Sequence, residues 1–183
     1  MIVGLGNPGP DYRETRHNLG FRLVDRLVER WRAEESTDLC RCRVWRAPGA
    51  VLAQPQTYMN RSGWAVECLL DVHGVEPDRL LVAFDDVALP LGALRLRPRG
   101  GAGGHRGLES ILASLQSDAV PRLRMGIAPA AGTEPHADLS AFVLAPFAAE
   151  EREAVERLVD RAADAVEVWR EMGLEEAMNR SNG

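Results

Sequence analysis

The sequence predicts an α/β three-layer sandwich: a mostly parallel, twisted mixed sheet with helices on both faces. Three observations carry that expectation. Apolar segments of strand length alternate along the chain with longer segments of helical periodicity. Residues 80–84 (LLVAF) are apolar without a break, as a central strand covered on both faces requires. Polar clusters follow the strand-like segments: Asn7 after the first, Tyr58, Met59 and Asn60 after the one near 51–54, Asp85 and Asp86 after the central one. In open α/β sheets that is the end at which ligands bind.

Taken in order, residues 1–5 form a short apolar strand running into a loop that Gly4, Gly6, Pro8, Gly9 and Pro10 impose. Residues 18–31 carry Leu23, Val24, Leu27, Val28 and Trp31 at helical spacing. Residues 39–46 alternate cysteine and valine with arginine, which predicts a strand half facing solvent. Residues 51–54 read as a further strand stopped by Pro55. A helix over 62–73 would bury Trp64, Ala65, Cys68, Leu69 and Val72. Residues 94–97 and 123–127 alternate as strands, and Leu108, Ile111, Leu112 and Leu115 mark a helix between them. A long helix over 150–171 closes the chain with Val155, Leu158, Val159, Ala162, Val166 and Trp169 inward. No repeat or linker divides residues 1–183, so a single domain is expected.

Composition narrows the function classes. Hydrophobic content of 45% and charged content of 27% are ordinary for a globular chain. No run approaches the ~18 apolar residues of a membrane span, and no secretory leader is visible at the start, so the cytoplasm is the expected location. No heptad or long exposed apolar strand calls for association, so a monomer without an obligate protein partner is expected. All 22 basic residues are arginine, which rules out Schiff-base and P-loop lysine chemistry. The net charge of −5 speaks against nucleic acid as a partner, but its distribution matters more. Residues 91–126 hold Arg95, Arg97, Arg99, Arg106, Arg122 and Arg124 against Glu109 and Asp118, whereas residues 147–178 are strongly acidic. Cys40, Cys42 and Cys68 lack metal-ligand spacing and read as buried or half-buried free thiols, Cys40 and Cys42 on one strand face.

Among motifs, Gly4-x-Gly6-x-x-Gly9 matches the dinucleotide fingerprint in form only, because Pro8 and Pro10 keep the loop from opening a helix. No nucleophile elbow or zinc helix is present, and the four histidines are scattered, so no metal or cofactor is expected. The histidine chemistry is then acid–base. His17 lies between a glycine loop and a helix start, and Asp85 ends the buried strand. A carboxylate there can fix one imidazole nitrogen and leave the other to deprotonate water. The competing readings are a capping or solvated histidine and a turn-forming aspartate. Asn7 and Asn60 are either turn formers or amide donors to a carbonyl or oxyanion. Tyr12 and Tyr58 are either core or stacking platforms for a base. Arg95, Arg97 and Arg124 share a strand face, either simply solvated or a phosphate track. The glycine run 100–107, with His105 and Arg106 inside it, offers N–H groups to an anion.

In order along the chain, residues 4–20 (GLGNPGPDYRETRHNLG), 54–63 (QPQTYMNRSG), 84–111 (FDDVALPLGALRLRPRGGAGGHRGLESI), 121–129 (PRLRMGIAP) and 142–147 (FVLAPF) resemble the bacterial-type peptidyl-tRNA hydrolase family. Together with the closing helix the likeness covers the whole chain. The resemblance implies hydrolysis, without a cofactor, of the ester between a peptide and the 3′-terminal ribose of tRNA. His17 would be the general base, Asp85 the residue stabilising its basic form, and Asn7 the group that distinguishes N-blocked esters. Tyr12, Tyr58, Met59, Asn60, His105 and Arg106 would meet the tRNA 3′ CCA end, and Arg97 and Arg124 the acceptor-stem phosphates. Three positions depart from the family pattern: Arg106 replaces an asparagine, Ala88 replaces an acidic residue, and the loop 130–138 lacks a lysine some members have. An RNA-binding relative that kept the fold but lost the reaction is the competing class, and release of tRNA from N-acetyl-aminoacyl-tRNA separates the two.

Overall fold

Along the central strands, successive side chains enter two different cores, and this alternation sets the layers. The structure, a computed structural model, describes residues 1–36, 38–129 and 138–182; all but Asp138 of the lysine-free loop lies outside the described residues. The elements are β1 (Ile2–Gly4), α1 (Leu19–Trp31), β2 (Glu34–Glu35), β3 (Cys42–Ala47), β4 (Ala50–Pro55), α2 (Ser62–His73), β5 (Leu81–Pro90), β6 (Leu94–Arg97), α3 (Arg106–Leu115), β7 (Arg122–Ala128), α4 (Leu139–Val143), α5 (Arg152–Met172) and α6 (Leu174–Ser181). The sheet order is β2-β3-β4-β1-β5-β7-β6. The four central strands, β4, β1, β5 and β7, run parallel. The outer strands β2, β3 and β6 are antiparallel to their neighbours.

Ile2, Leu52, Leu81 and Ala83 face a core shared with α1, α5 and α6, whereas Val3, Ala53, Val82 and Phe84 face one shared with α2 and α3. This is the predicted sandwich, with its parallel strands buried on both faces. No described helix is long and apolar enough to cross a membrane. At the far edge, the Asn182 amide donates to the Leu96 carbonyl at 3.1 Å and accepts the Leu96 N–H at 2.6 Å, as a neighbouring strand residue would.

The acidic face of α5 meets α1. Arg22 bonds Glu156, Arg26 bonds Glu156 and Asp160, and Arg30 bonds Asp160 and Asp164. Each such half-exposed pair is worth about 0–1 kcal/mol; the ladder mainly fixes how the two helices register.

Several expectations are corrected. Cys40 and Cys68 form a disulfide rather than two free thiols, and only Cys42 is free and buried. Nor do Cys40 and Cys42 share a strand face: Cys40 and Arg41 both sit at φ 54° in the turn before β3. Trp64 and Val72 are exposed, because α2 buries Ser62, Gly63, Ala65, Val66, Leu69 and Leu70 instead. The smallest residues lead, since Gly63 packs so close to α3 that a Cβ there would stand 2.1 Å from the Ser110 carbonyl oxygen. The closing helix starts at Arg152 after a 3₁₀ turn and is followed by α6, which the periodicity did not separate.

One glycine seats α1 on the sheet. A Cβ at Gly20 would lie 2.4 Å from both the Ala83 carbonyl oxygen and the Leu5 nitrogen. Since both contacts are backbone, neither gives way as a side chain would. Gly20→Ala is therefore expected to destabilise by roughly 1–3 kcal/mol, several degrees in a melt followed by circular dichroism. An unchanged Tm would mean that the helix is not seated in this way.

Candidate active site

The cleft opens beyond the carboxyl ends of β1 and β4 and over the middle of β5. That last strand continues to Pro90, so Asp85 and Asp86 lie within it and do not end it as expected. Three segments converge there. The first begins where β1 runs out: Leu5 still donates to the Ala83 carbonyl at 2.9 Å, and Asn7 then leaves the sheet. The Asn7 N–H donates to Asn18 Oδ1 at 2.8 Å, and Asn18 Nδ2 returns a bond to the Asn7 carbonyl at 3.0 Å. This reciprocal clamp ties the glycine–proline loop to the turn carrying His17. The Met59 N–H donates to Asn7 Oδ1 at 2.8 Å. Because a backbone N–H needs an acceptor, that contact assigns the Asn7 oxygen inward and leaves its NH₂ as the free end of an amide that lines the cleft.

His17 occupies a 3₁₀ turn (Arg16–Asn18) immediately before α1. Its Nδ1 is 2.8 Å from Asp85 Oδ1. Asp85 is only 2% exposed. Burial by itself would raise its pKa, but hydrogen bonds from His105 and His17 outweigh that and hold the carboxyl well below its usual range. Against an ordinary value of about 3.9 in the unfolded chain, the ionised carboxylate favours folding above that pH, a contribution lost only as pH falls through the depressed folded value. An ionised Asp85 accepts, so His17 Nδ1 carries the proton, and in the neutral imidazole Nε2 is the nitrogen with the lone pair. The His17 side chain is 12% exposed and lines the cleft.

His105, expected as a tRNA contact, has a second position in this network. It caps α3: its Nδ1 accepts the Leu108 N–H at 3.2 Å, which places the proton on Nε2, 3.3 Å from the same Asp85 Oδ1. The two imidazoles lie 4.9 Å apart between centroids. His17, Asp85 and His105 are also the one group of three among the described residues whose donor atoms are close enough to hold a metal ion, all within 4.8 Å. The hydrogen bonds use them differently. A metal on His105 Nε2 would need the lone pair of a nitrogen that here bears a proton, and it would displace the Leu108 contact or the Asp85 one.

Around this centre the cleft is lined by Tyr58, Met59, Asn60, Asp86, Arg106 and the glycine loop at 103–104. Tyr58 is 61% exposed, whereas Met59 is buried under Gly107, where a Cβ would come within 2.4 Å of its Sδ. Tyr12 is half-buried and is not among the lining residues, so this expected platform is not brought to the cleft. Arg97 and Arg124 also lie outside the lining, on the β6–β7 surface. Arg124 Nε donates to Asp86 Oδ2 at 2.5 Å, linking that surface to the cleft wall. Arg95 pairs with Arg124 and Arg97 with Arg122 across the strands, so one face carries all four. Arg122 serves the fold instead. It is buried and donates to the carbonyls of Gly100, Gly101, Asp118 and Val120, holding the glycine loop.

Sequence reasoning missed Asn18, the far wall of the cleft and the link from His105 to Asp85. Asn18 had a signal, an amide next to His17 at a helix start. The wall is Leu139, Ser140, Val143 and Leu144 on and after α4, an apolar stretch that reads as core but leaves Leu139 and Leu144 exposed.

The chain is similar to known proteins over its whole length. The profile of the peptidyl-tRNA hydrolase family matches residues 1–183. A peptidyl-tRNA hydrolase of Chloroflexus aurantiacus is 47% identical over all of this chain and 98% of its own length. One from a Synechococcus sp. is 45% identical over all of this chain and 82% of its own. The crystal structure of peptidyl-tRNA hydrolase from Acinetobacter baumannii superposes with a TM-score of 0.90 at 32% identity, covering 100% of this chain and 93% of that one. The chain belongs to the peptidyl-tRNA hydrolase family.

Proposed function

We propose that this chain hydrolyses the ester joining a peptide, or another N-blocked aminoacyl group, to the 3′-terminal ribose of tRNA, freeing the tRNA for translation. The observation that carries the reading is the 2.8 Å bond from His17 to a buried, ionised Asp85, with the opposite imidazole nitrogen left as a lone pair in the cleft. His17 Nε2 takes a proton from water while the hydroxide attacks the ester carbonyl carbon. The carbonyl π pair moves to its oxygen, which the Asn7 and Asn60 amides stabilise. Collapse breaks the bond to the ribose oxygen, and the proton held by His17 goes to that leaving group. Asp85 stabilises the transient imidazolium, and a base so placed is worth about 10²–10⁴ in rate. The scheme uses no metal or cofactor.

Tyr58, Met59, Asn60, His105 and Arg106 would contact the 3′ CCA end. Arg106 donates only, so it fits a phosphate or carbonyl rather than copying an asparagine. Tyr12 would serve only if the 3′ end extends beyond the cleft lining. Arg97 and Arg124 would meet acceptor-stem phosphates, with Asp86 orienting Arg124. The proposal takes residues 1–183 as one domain, acting as a monomer in the cytoplasm without an obligate protein partner. Disulfides are uncommon in that compartment, so the Cys40–Cys68 pair is expected to be reduced there and oxidised in protein purified in air.

Three outcomes are expected. His17→Ala should cut turnover of N-acetyl-aminoacyl-tRNA by ~10² or more while tRNA binding persists; undiminished turnover would remove the mechanism. Asp85→Asn, which keeps the shape and loses the charge, should lower kcat by about 10²; a wild-type rate would make Asp85 structural only. If only the local patch of Arg95, Arg97, Arg106 and Arg124 meets tRNA, log K should fall shallowly with log salt, at a slope reporting only about two to four phosphates. A slope reporting about eight or more would show that the footprint is wrong.

A further inference from the structure

Arg16 precedes the proposed base in the chain but does not line the cleft. It is 8% exposed. Its Nη1 donates to the carbonyls of Pro146 at 2.7 Å and Ala145 at 3.3 Å, and its Nη2 donates to Glu151 Oε2 at 2.8 Å. The guanidinium carbon lies 4.4 Å from the Phe142 ring centroid and 5.1 Å from that of Phe147. The main chain repeats the link: the Arg16 N–H donates to the Ala145 carbonyl at 3.1 Å, and Thr15 bridges to Pro146. Among the described residues its Nε is buried without a hydrogen-bond partner. A cation taken this far from water with one N–H unmet is costly, and the contacts it makes all go to one segment, residues 142–151.

That segment follows and includes part of the cleft wall. Leu139, Ser140, Val143 and Leu144 line the cleft, whereas Phe142 on the same short helix packs on Arg16. Fixing Phe142 and the two carbonyls therefore fixes the rotation of α4. Since the chain runs from Arg16 straight into His17, the same side chain sets how far the wall stands from the base. We propose that Arg16 is a positioning residue for the hydrolysis: its planar fork ties the 139–146 wall to the His17 turn and so shapes the space in which the ester group sits. A lysine lacks this fork: its three donors sit at one point without a planar face, so it cannot span these acceptors and stack between the rings at once.

The inference rests on the hydrolase reading, and its test separates the two. Steady-state hydrolysis of N-acetyl-aminoacyl-tRNA is compared for the full-length wild type, Arg16→Lys and Glu151→Gln, well below each melting temperature, with amide hydrogen exchange on the same samples. Arg16→Lys is expected to raise KM by about tenfold with kcat within about threefold. The pH profile of kcat should not move, because the His17–Asp85 bond is untouched. Exchange should quicken at 139–146 and not at 81–85. Glu151→Gln keeps both carbonyl bonds and should leave KM within about twofold. Should Arg16→Lys fail to fold, Phe142→Leu removes the ring under the guanidinium and is expected to raise KM in the same sense. Wild-type KM and exchange in Arg16→Lys would overturn the proposal, as would equal loss in kcat and KM or a shifted pH profile. A wild-type protein without turnover would sink the hydrolase reading instead, and the exchange comparison would still decide whether Arg16 holds the wall.

Discussion

A carboxylate that scarcely touches water stays ionised only if other dipoles replace the water. At Asp85 two imidazoles do so, both directed at one oxygen. This requirement organises the cleft. One imidazole arrives on the turn before α1, the other on the cap of α3, and each is fixed by bonds that have nothing to do with substrate. The Leu108 N–H sets the tautomer of His105, and the Asn7–Asn18 clamp seats the turn of His17. Loss of any one partner leaves a buried charge short of a donor, which costs more than the hydrogen bond itself contributes. The site is thus rigid for the same reason that its aspartate is charged.

The glycines make that convergence possible. With Gly20 against the Ala83 and Leu5 backbones, α1 starts almost in contact with the sheet. His17, three residues earlier, is thereby delivered to Asp85 in β5. Gly107 does the equivalent for α3 over Met59. Close approach, rather than chain flexibility, explains both residues.

The central strands and the pairing of His17 with Asp85 were legible because each has a local sign: an unbroken apolar run, and polar residues directly after it, although β5 carries Asp85 within its length and continues to Pro90. The rest failed where the sign is not local. Nothing near Cys40 points to Cys68, 28 residues away, and β2 is two glutamates with no apolar pattern. The buried side of α2 was misjudged because periodicity weighs large residues, while the contact with α3 selects Ser62 and Gly63. The arginine-rich region read as one surface is in fact divided: Arg122 holds carbonyls, Arg99 pairs with Asp118, and Arg124 pairs with Asp86. Likewise, the acidic closing helix matches the arginines of α1, not that region. Net charge by segment could not reveal who neutralises whom.

The Asn182 amide beside Leu96 has a further meaning. A sheet that ends in an open strand offers its free main-chain groups to any other extended chain, and so invites stacking of copies into aggregates. Here a side chain occupies one donor and one acceptor of β6 and breaks the row. A chain adding along that rim would first have to displace the amide from Leu96.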